Sequence, residues 1–276
     1  MNNNSDNHFL RLIIALPCEA KPLIKHYGLK RCVDESAYSM FRNQQMTLTI
    51  SGVGKLAAAG AVAYTQGRYG STRNTVWLNI GIAGHRTIDI GKCLLAHKII
   101  DSETSRCWYP GLVLTPPCET SDILTVSQPE TDYTQNCLYE MEAAGFMATA
   151  IRFSSLECIH VVKVVSDNQS TPATTLNEKL INQLIESQLS TIDAFINEFE
   201  QIRQHIQARQ TVDNAAFLAK WHFTAQQSMQ LTTLLSQWQI RSADSFPTVD
   251  NIAHLKTSRQ VIHWLKTQVS SLPVKF

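Results

Sequence analysis

The sequence predicts an α/β fold, a three-layer sandwich around a mixed, twisted central sheet, with a C-terminal helical extension. Three observations carry that prediction. Short apolar, β-branched runs alternate with helical patterns up to about residue 205, the order produced when helices cover both faces of one sheet. Beyond residue 211 the strand-like runs stop and Leu- and Trp-bearing helical patterns remain. A length of 276 residues with 44% apolar and 17% charged residues suffices for one large core plus an appendage.

Taken in order, residues 9–16 (FLRLIIAL) read as a first buried strand ended by Pro17. Residues 18–27 follow as a helix in which Pro22 is tolerable only in the first turn. Residues 46–51 (MTLTIS) alternate like a strand and feed Gly52-Val53-Gly54-Lys55, and the Ala-rich 56–69 reads as a tightly packed helix. Residues 76–80 (VWLNI) form a short buried strand, after which Gly81-Ile82-Ala83-Gly84 reads as a loop. Strands are expected at 93–100 and 123–126, with a proline-bearing excursion over 102–121 between them. A small-residue helix is expected at 141–153 and a last strand at 160–165 (HVVKVV). Leu176, Leu180, Leu184, Ile185, Leu189, Ile192, Phe195, Ile196 and Phe199 recur at helical spacing, so 174–205 reads as one long closing helix. Two further helices are expected at 217–238 and 252–269. The domain reading is a flexible, Asn-rich leader at 1–8, an α/β domain at 9–206 and a helical extension at 211–276, divided by the polar 207–213 (QARQTVD).

Bulk chemistry narrows the functions. A formal net charge of +1 argues against strong nucleic-acid binding. Residues 211–276 carry six Lys/Arg against three Asp/Glu, best read as a solvated helix face. The seven cysteines are odd in number, all precede residue 160, and none forms a CxxC pair, so neither a zinc ribbon nor a thioredoxin-type site is indicated. His222, His254 and His263 lack metal-ligand spacing. With no signal-peptide pattern and no apolar stretch of membrane length, a reduced cytoplasmic protein without membrane association is expected.

Three carboxylates stand where an open α/β sheet presents ligand-binding groups. They are Glu19 in Leu16-Pro17-Cys18-Glu19-Ala20, Glu142 in Glu140-Met141-Glu142-Ala143-Ala144, and Asp167 in Val164-Val165-Ser166-Asp167. Each has a structural alternative: Glu19 complements a helix dipole, Asp167 makes an Asx turn, and Glu142 is buried against an unnamed partner. The Gly52-Val53-Gly54 segment suits backbone amides facing an anion, or simply tight strand-to-helix packing. It has neither P-loop nor dinucleotide-binding spacing.

Five patterns together resemble the nucleoside phosphorylase and nucleosidase superfamily, most of all its methylthioadenosine/S-adenosylhomocysteine nucleosidase branch. They are Ala15-Leu16-Pro17-Cys18-Glu19, Ser51-Gly52-Val53-Gly54-Lys55, Asn79-Ile80-Gly81-Ile82-Ala83-Gly84, Tyr139-Glu140-Met141-Glu142-Ala143-Ala144 and Val164-Val165-Ser166-Asp167, spread over about residues 10–205. The resemblance implies hydrolysis of the N-glycosidic bond of a purine nucleoside or 5′-thionucleoside. Glu19 would deprotonate water, and Asp167 would protonate or hydrogen-bond the purine N7. Glu142 would hold the ribose hydroxyls, with Met141 against the sugar. Ser166 would orient Asp167, while Ala83 and Gly84 would let backbone approach the ligand. No metal or organic cofactor is implied, and a homo-oligomer, a dimer by analogy, is expected.

Two rival readings follow from departures in the patterns. A phosphorylase would use inorganic phosphate as co-substrate, but Glu19 stands where phosphate would be repelled, and Ile82 replaces the serine expected there. His85 and Arg86 could compensate. A non-catalytic nucleoside-binding or interaction protein is the other reading. The base-binding stretch between Ile100 and Glu140 is short and proline-rich, and Phe153, Trp108 or Tyr109 is the expected stacking ring.

Overall fold

A computed structural model describes residues 9–33, 37–70, 74–113, 115–210, 213–242 and 246–273, with side chains omitted for 205–210. The expected leader, residues 1–8, lies outside the described residues. The chain divides into two compact units, Met1–Arg203 and Gln204–Phe276.

The first unit is built on one mixed sheet. Its strands are β1 (Leu10–Ile14), β2 (Lys30–Arg31), β3 (Ser39–Arg42), β4 (Met46–Ile50), β5 (Val76–His85), β6 (Cys93–Asp101), β7 (Cys107–Trp108), β8 (Thr120–Thr125), β9 (Leu138–Glu140) and β10 (Ile159–Asp167). β1 runs parallel between β4 and β5, and β5 is also parallel to β10. β10 pairs antiparallel with β6, β6 parallel with β8, β8 parallel with β9, and β9 antiparallel with β5. The circuit β5–β10–β6–β8–β9–β5 therefore closes on itself, and β1, β4, β3 and β2 extend from β5 as an open arm.

Apolar residues on alternating positions build the layers. On one face, α2 (Lys55–Tyr69) and α3 (Ala143–Ala150) pack on Ile13, Trp77, Ile159, Val161 and Val165 through Ala58, Ala61, Val62, Phe146 and Met147. Small residues in both helices allow this close approach. The other side carries α1 (Pro17–His26), α4 (Glu178–Ser187) and the start of α5 (Leu189–Gln210). There the buried His160 ring stacks on Phe199 with centroids 4.1 Å apart.

Three expectations for the first unit need correcting. The Gly81–Gly84 segment is not a loop: β5 continues through it to His85, because β10 pairs alongside as far as Gly84 and β9 joins at Gly84 and His85. The expected helix at 174–205 is two helices. Asn177 caps the first by accepting from Leu180 N–H, and the chain turns at Gln188 before α5. Helix α3 begins at Ala143 rather than Met141, because residues 138–140 form β9.

The second unit holds α6 (Ala215–Lys220), α7 (Ala225–Arg241) and α8 (Ser258–Ser271), so the pattern at 217–238 is also two helices. Thr224 and Thr257 start α7 and α8 with reciprocal capping boxes to Gln227 and Gln260. Trp221, Trp238, Leu231, Leu235, Val261 and Leu265 form its core, and the Trp238 and Trp264 rings stack 5.7 Å apart. Among the described residues, no helix is long and apolar enough to cross a membrane.

Candidate active site

A gap in the sheet creates the site. β1 accompanies β5 only as far as the Ile13–Asn79 pair, and β9 takes over on the same side only at Gly84. Residues 80–83 of β5 are thus left without a strand neighbour on that edge. Strand ends β1, β4, β5, β8, β9 and β10 surround the opening, and a cavity of about 340 Å³ lies there. Such a volume falls within the usual range for small-molecule sites.

Seven residues singled out from the sequence, Glu19, Ala83, Gly84, Met141, Glu142, Ser166 and Asp167, all line this cavity. Glu19 lies in the first turn of α1 and fills the gap. Its Oε1 accepts from the Ile82 N–H at 2.8 Å and its Oε2 from the Leu16 N–H at 2.9 Å. Burial pushes its carboxyl up to about 7, against the opposing effects of Lys163 and the two N–H donors. Gly81 is required by this approach. A Cβ there would come within 2.8 Å of Glu19 Oε1 and 3.5 Å of Lys163 Nζ.

Glu142 sits at the N-cap of α3, with Oε1 accepting from the Gly54 N–H at 2.9 Å. The glycine segment after β4 thus serves a carboxylate of the protein itself. Burial raises the Glu142 carboxyl, opposed by Lys163 and reinforced by Glu140. Asp167 ends β10. Ser166 Oγ donates to its Oδ1 and Tyr133 Oη to its Oδ2, so both carboxyl oxygens are held. A Cβ on Gly84 would lie 2.5 Å from Asp167 Oδ2 and 2.7 Å from Tyr133 Cε1, which leaves glycine as the residue that fits.

Sequence reasoning missed three residues. Lys163, 1% exposed, places Nζ 2.9 Å from Glu140 Oε2 and 3.6 Å from Glu142 Oε2. Burial alone would lower its pKa, but Glu140, Glu142 and Glu19 together hold it above the ordinary lysine value. Glu140 is a buried hub: its Oε2 accepts from the Glu142 and Ala143 N–H groups and its Oε1 from Thr125 Oγ1. Tyr133 is 1% exposed and adopts a left-handed backbone at φ 46°. Burial, then its bond to Asp167, raises its phenol pKa. One signal was available for Lys163, a lysine inside an otherwise apolar strand four residues before Asp167.

Other candidates lie elsewhere. Neither His85 nor Arg86 lines the cavity; the His85 Nδ1 accepts from the Thr87 and Ile88 N–H groups instead. Phe153 packs against the core, Trp108 pairs in β7 and Tyr109 is 61% exposed, so none of the three lines the cavity. The rings that do are Tyr133 and Tyr139, in edge-to-face contact at 5.8 Å.

By sequence, no protein-family profile and no curated protein matches the chain. Solved structures do match by fold. The 5′-methylthioadenosine/S-adenosylhomocysteine nucleosidase from Helicobacter pylori, in complex with butyl-thio-DADMe-Immucillin-A, is similar at a TM-score of 0.58 and 12% identity. That match covers 68% of this chain and 97% of the nucleosidase. The 5′-methylthioadenosine nucleosidase of Arabidopsis thaliana is similar at 0.58 and 14% identity, over 69% and 95%. Futalosine hydrolase of Helicobacter pylori strain 26695 is similar at 0.56 and 12%, over 68% and 97%. Over about two thirds of its length the chain therefore shares the fold of these nucleosidases and of futalosine hydrolase.

Proposed function

We propose that the protein is an N-glycosidase that hydrolyses the bond between base and sugar in a purine nucleoside or 5′-thionucleoside. The observation that carries this reading is the convergence of Glu19, Glu142 and Asp167 on one nucleoside-sized cavity. Breaking a C1′–N9 bond leaves positive charge on the ribose ring and negative charge on the leaving base. Glu142 accepts hydrogen bonds from the ribose hydroxyls and lies on the side of the developing cation. Asp167 supplies a proton or hydrogen bond at N7, so the bonding pair leaves with a neutralised base. Glu19, whose carboxyl is pushed by burial up to about 7, takes a proton in its ionised form from the water that attacks C1′. Free purine and free ribose result.

Water is favoured over phosphate by the charge of the walls. Glu19, Glu130, Glu140, Glu142 and Asp167 line the cavity, and the Lys163 ammonium is engaged by Glu140 and Glu142. A phosphate dianion would meet a net excess of like charge there. The reaction needs no cofactor. By the same resemblance we expect a homodimer in the cytoplasm acting on a small-molecule nucleoside, with the oligomer measurable by light scattering.

Incubation with a panel of nucleosides, with and without phosphate and followed by chromatography, tests the reading. Free base and ribose without phosphate, lost in Glu142→Gln and Asp167→Asn, is the expected result. Phosphate-dependent ribose-1-phosphate would establish the phosphorylase. Ligand-induced thermal shifts without product would establish a binding module.

A further inference from the structure

A second cavity, of about 500 Å³, is walled by Asp89, Lys92, Cys93, Cys118, Glu119 and Gln188 among others, and shares none of these with the carboxylate site. Cys93 opens β6, and Cys118 stands two residues before β8. Leu95 pairs with Thr120 in the parallel β6–β8 ladder, and the Leu95 N–H donates to Glu119 O at 3.0 Å. Cys93 and Cys118 each lie two residues before that pair, Cys118 in a bend that leads into β8, and the two sulfurs are in hydrogen-bond contact. The paired strands they lead into are about 4.8 Å apart, and a disulfide spans a Cα separation of roughly 4.4–6.8 Å.

The two sulfurs differ in character. The Cys93 thiol is buried and bonded to the Cys118 sulfur, and both effects raise its pKa. Cys118 is half-exposed at the cavity wall and its thiol donates to Glu119 O at 3.3 Å; the bond from Cys93 and the Leu95 N–H lower its pKa against burial and the Glu119 charge. One sulfur thus has access to the cavity, and the other lies buried in contact with it.

We propose that Cys93 and Cys118 are a peroxide-reactive thiol pair that closes to an intramolecular disulfide. The Cys118 thiolate attacks a hydroperoxide oxygen; the O–O bond breaks, Cys118 becomes a sulfenic acid, and with hydrogen peroxide the departing hydroxide takes a proton to become water. The Cys93 sulfur then attacks the Cys118 sulfur, the S–O bond breaks, and the thiol proton leaves with the hydroxyl as a second water. Two thiols are oxidised by two electrons and one peroxide is reduced. Because Cys93 also pairs with Val164 of β10, the link forms on the strand beside the one that ends in Asp167.

The full chain is treated with hydrogen peroxide, alkylated, digested without reductant and read by mass spectrometry. The expected product is a Cys93–Cys118 peptide pair, lighter than its parts by two hydrogens and lost on reduction. Cys118→Ser should slow oxidation of Cys93 at least about tenfold, since the attacking thiolate is gone. Cys93→Ser should leave Cys118 as a sulfenic acid that dimedone captures. Exposed Cys107 gives the comparison for access without a partner thiol. The proposal is overturned if both sulfurs stay alkylatable, or if Cys93 links equally to other cysteines. It is also overturned if Cys118→Ser leaves the oxidation rate of Cys93 unchanged.

Discussion

Replacing Lys163 by methionine isolates what the buried cation contributes. Its Nζ lies 2.9 Å from Glu140 and 3.6 Å from Glu142, with the lysine 1% exposed. At an effective dielectric of about 20, each contact amounts to a gross attraction of about 5 kcal/mol. Desolvation of the ions offsets much of that, and removal of one partner from a buried cluster costs about 3–5 kcal/mol in net terms. Methionine refills most of the aliphatic stem, so little of the loss is cavity. For a unit of this size the same loss corresponds to a fall in Tm of about 6–20 °C.

The pH dependence separates charge from packing. Glu19 and Glu142 already have raised folded-state pKa values, and loss of the cation raises them further. A carboxyl whose folded pKa exceeds its unfolded value costs stability above the folded pKa, and that cost disappears as pH falls to the unfolded value. The deficit of Lys163→Met should therefore be large at pH ~8 and smaller near pH ~5. Lys163→Arg, which keeps the charge, should lose less. Urea unfolding followed by circular dichroism at both pH values gives the measurement. A deficit below about 1 kcal/mol at the higher pH, or one equal at both, would refute the reasoning.

The remaining expectations concern turnover. Glu19 must be ionised to accept a proton, so kcat should fall about tenfold per pH unit below about 7; a pH-rate profile checks this, and Glu19→Gln should abolish the limb together with the rate. Tyr133→Phe removes the phenol that donates to Asp167 Oδ2, and loss of that buried hydrogen bond should lower kcat by about 10–100-fold with little change in KM. Gly84→Ala would place a Cβ 2.5 Å from Asp167 Oδ2; a loss of about 1–3 kcal/mol in urea unfolding and near-complete loss of turnover are expected.

How much of the site was legible depended on where each residue falls relative to its element. Glu19, Glu142 and Asp167 stand at or beside the ends of elements, where polar side chains interrupt an apolar pattern and become visible. Lys163 stands inside HVVKVV, and a lysine there reads as a stem-burying residue until three carboxylates are seen around it. Tyr133 lies between β8 and β9, a stretch with no periodicity to say that it turns inward. Strand β5 was cut short at Ile80 because Gly81 and Gly84 carry no β-propensity. Their lack of a side chain instead reflects carboxylates that approach from α1 and β10. The single helix expected over 174–205 breaks at Gln188, a residue with no breaker character, whose side chain donates to the Gly91 carbonyl at 2.8 Å.

Joined together, these details link chain topology to the proposed preference for water as nucleophile. A sheet that divides between β1 and β9 must leave backbone N–H groups of β5 exposed at the division. In this chain the Ile82 N–H is satisfied by Glu19, just as the Gly54 N–H is satisfied by Glu142. Backbone donors that would suit an incoming anion are thus occupied by the protein's own carboxylates. The isoleucine at position 82 supplies no hydroxyl in their place. A phosphate would have to displace a bound carboxylate to reach these two donors, whereas the water of the proposed hydrolysis needs only an acceptor such as Glu19.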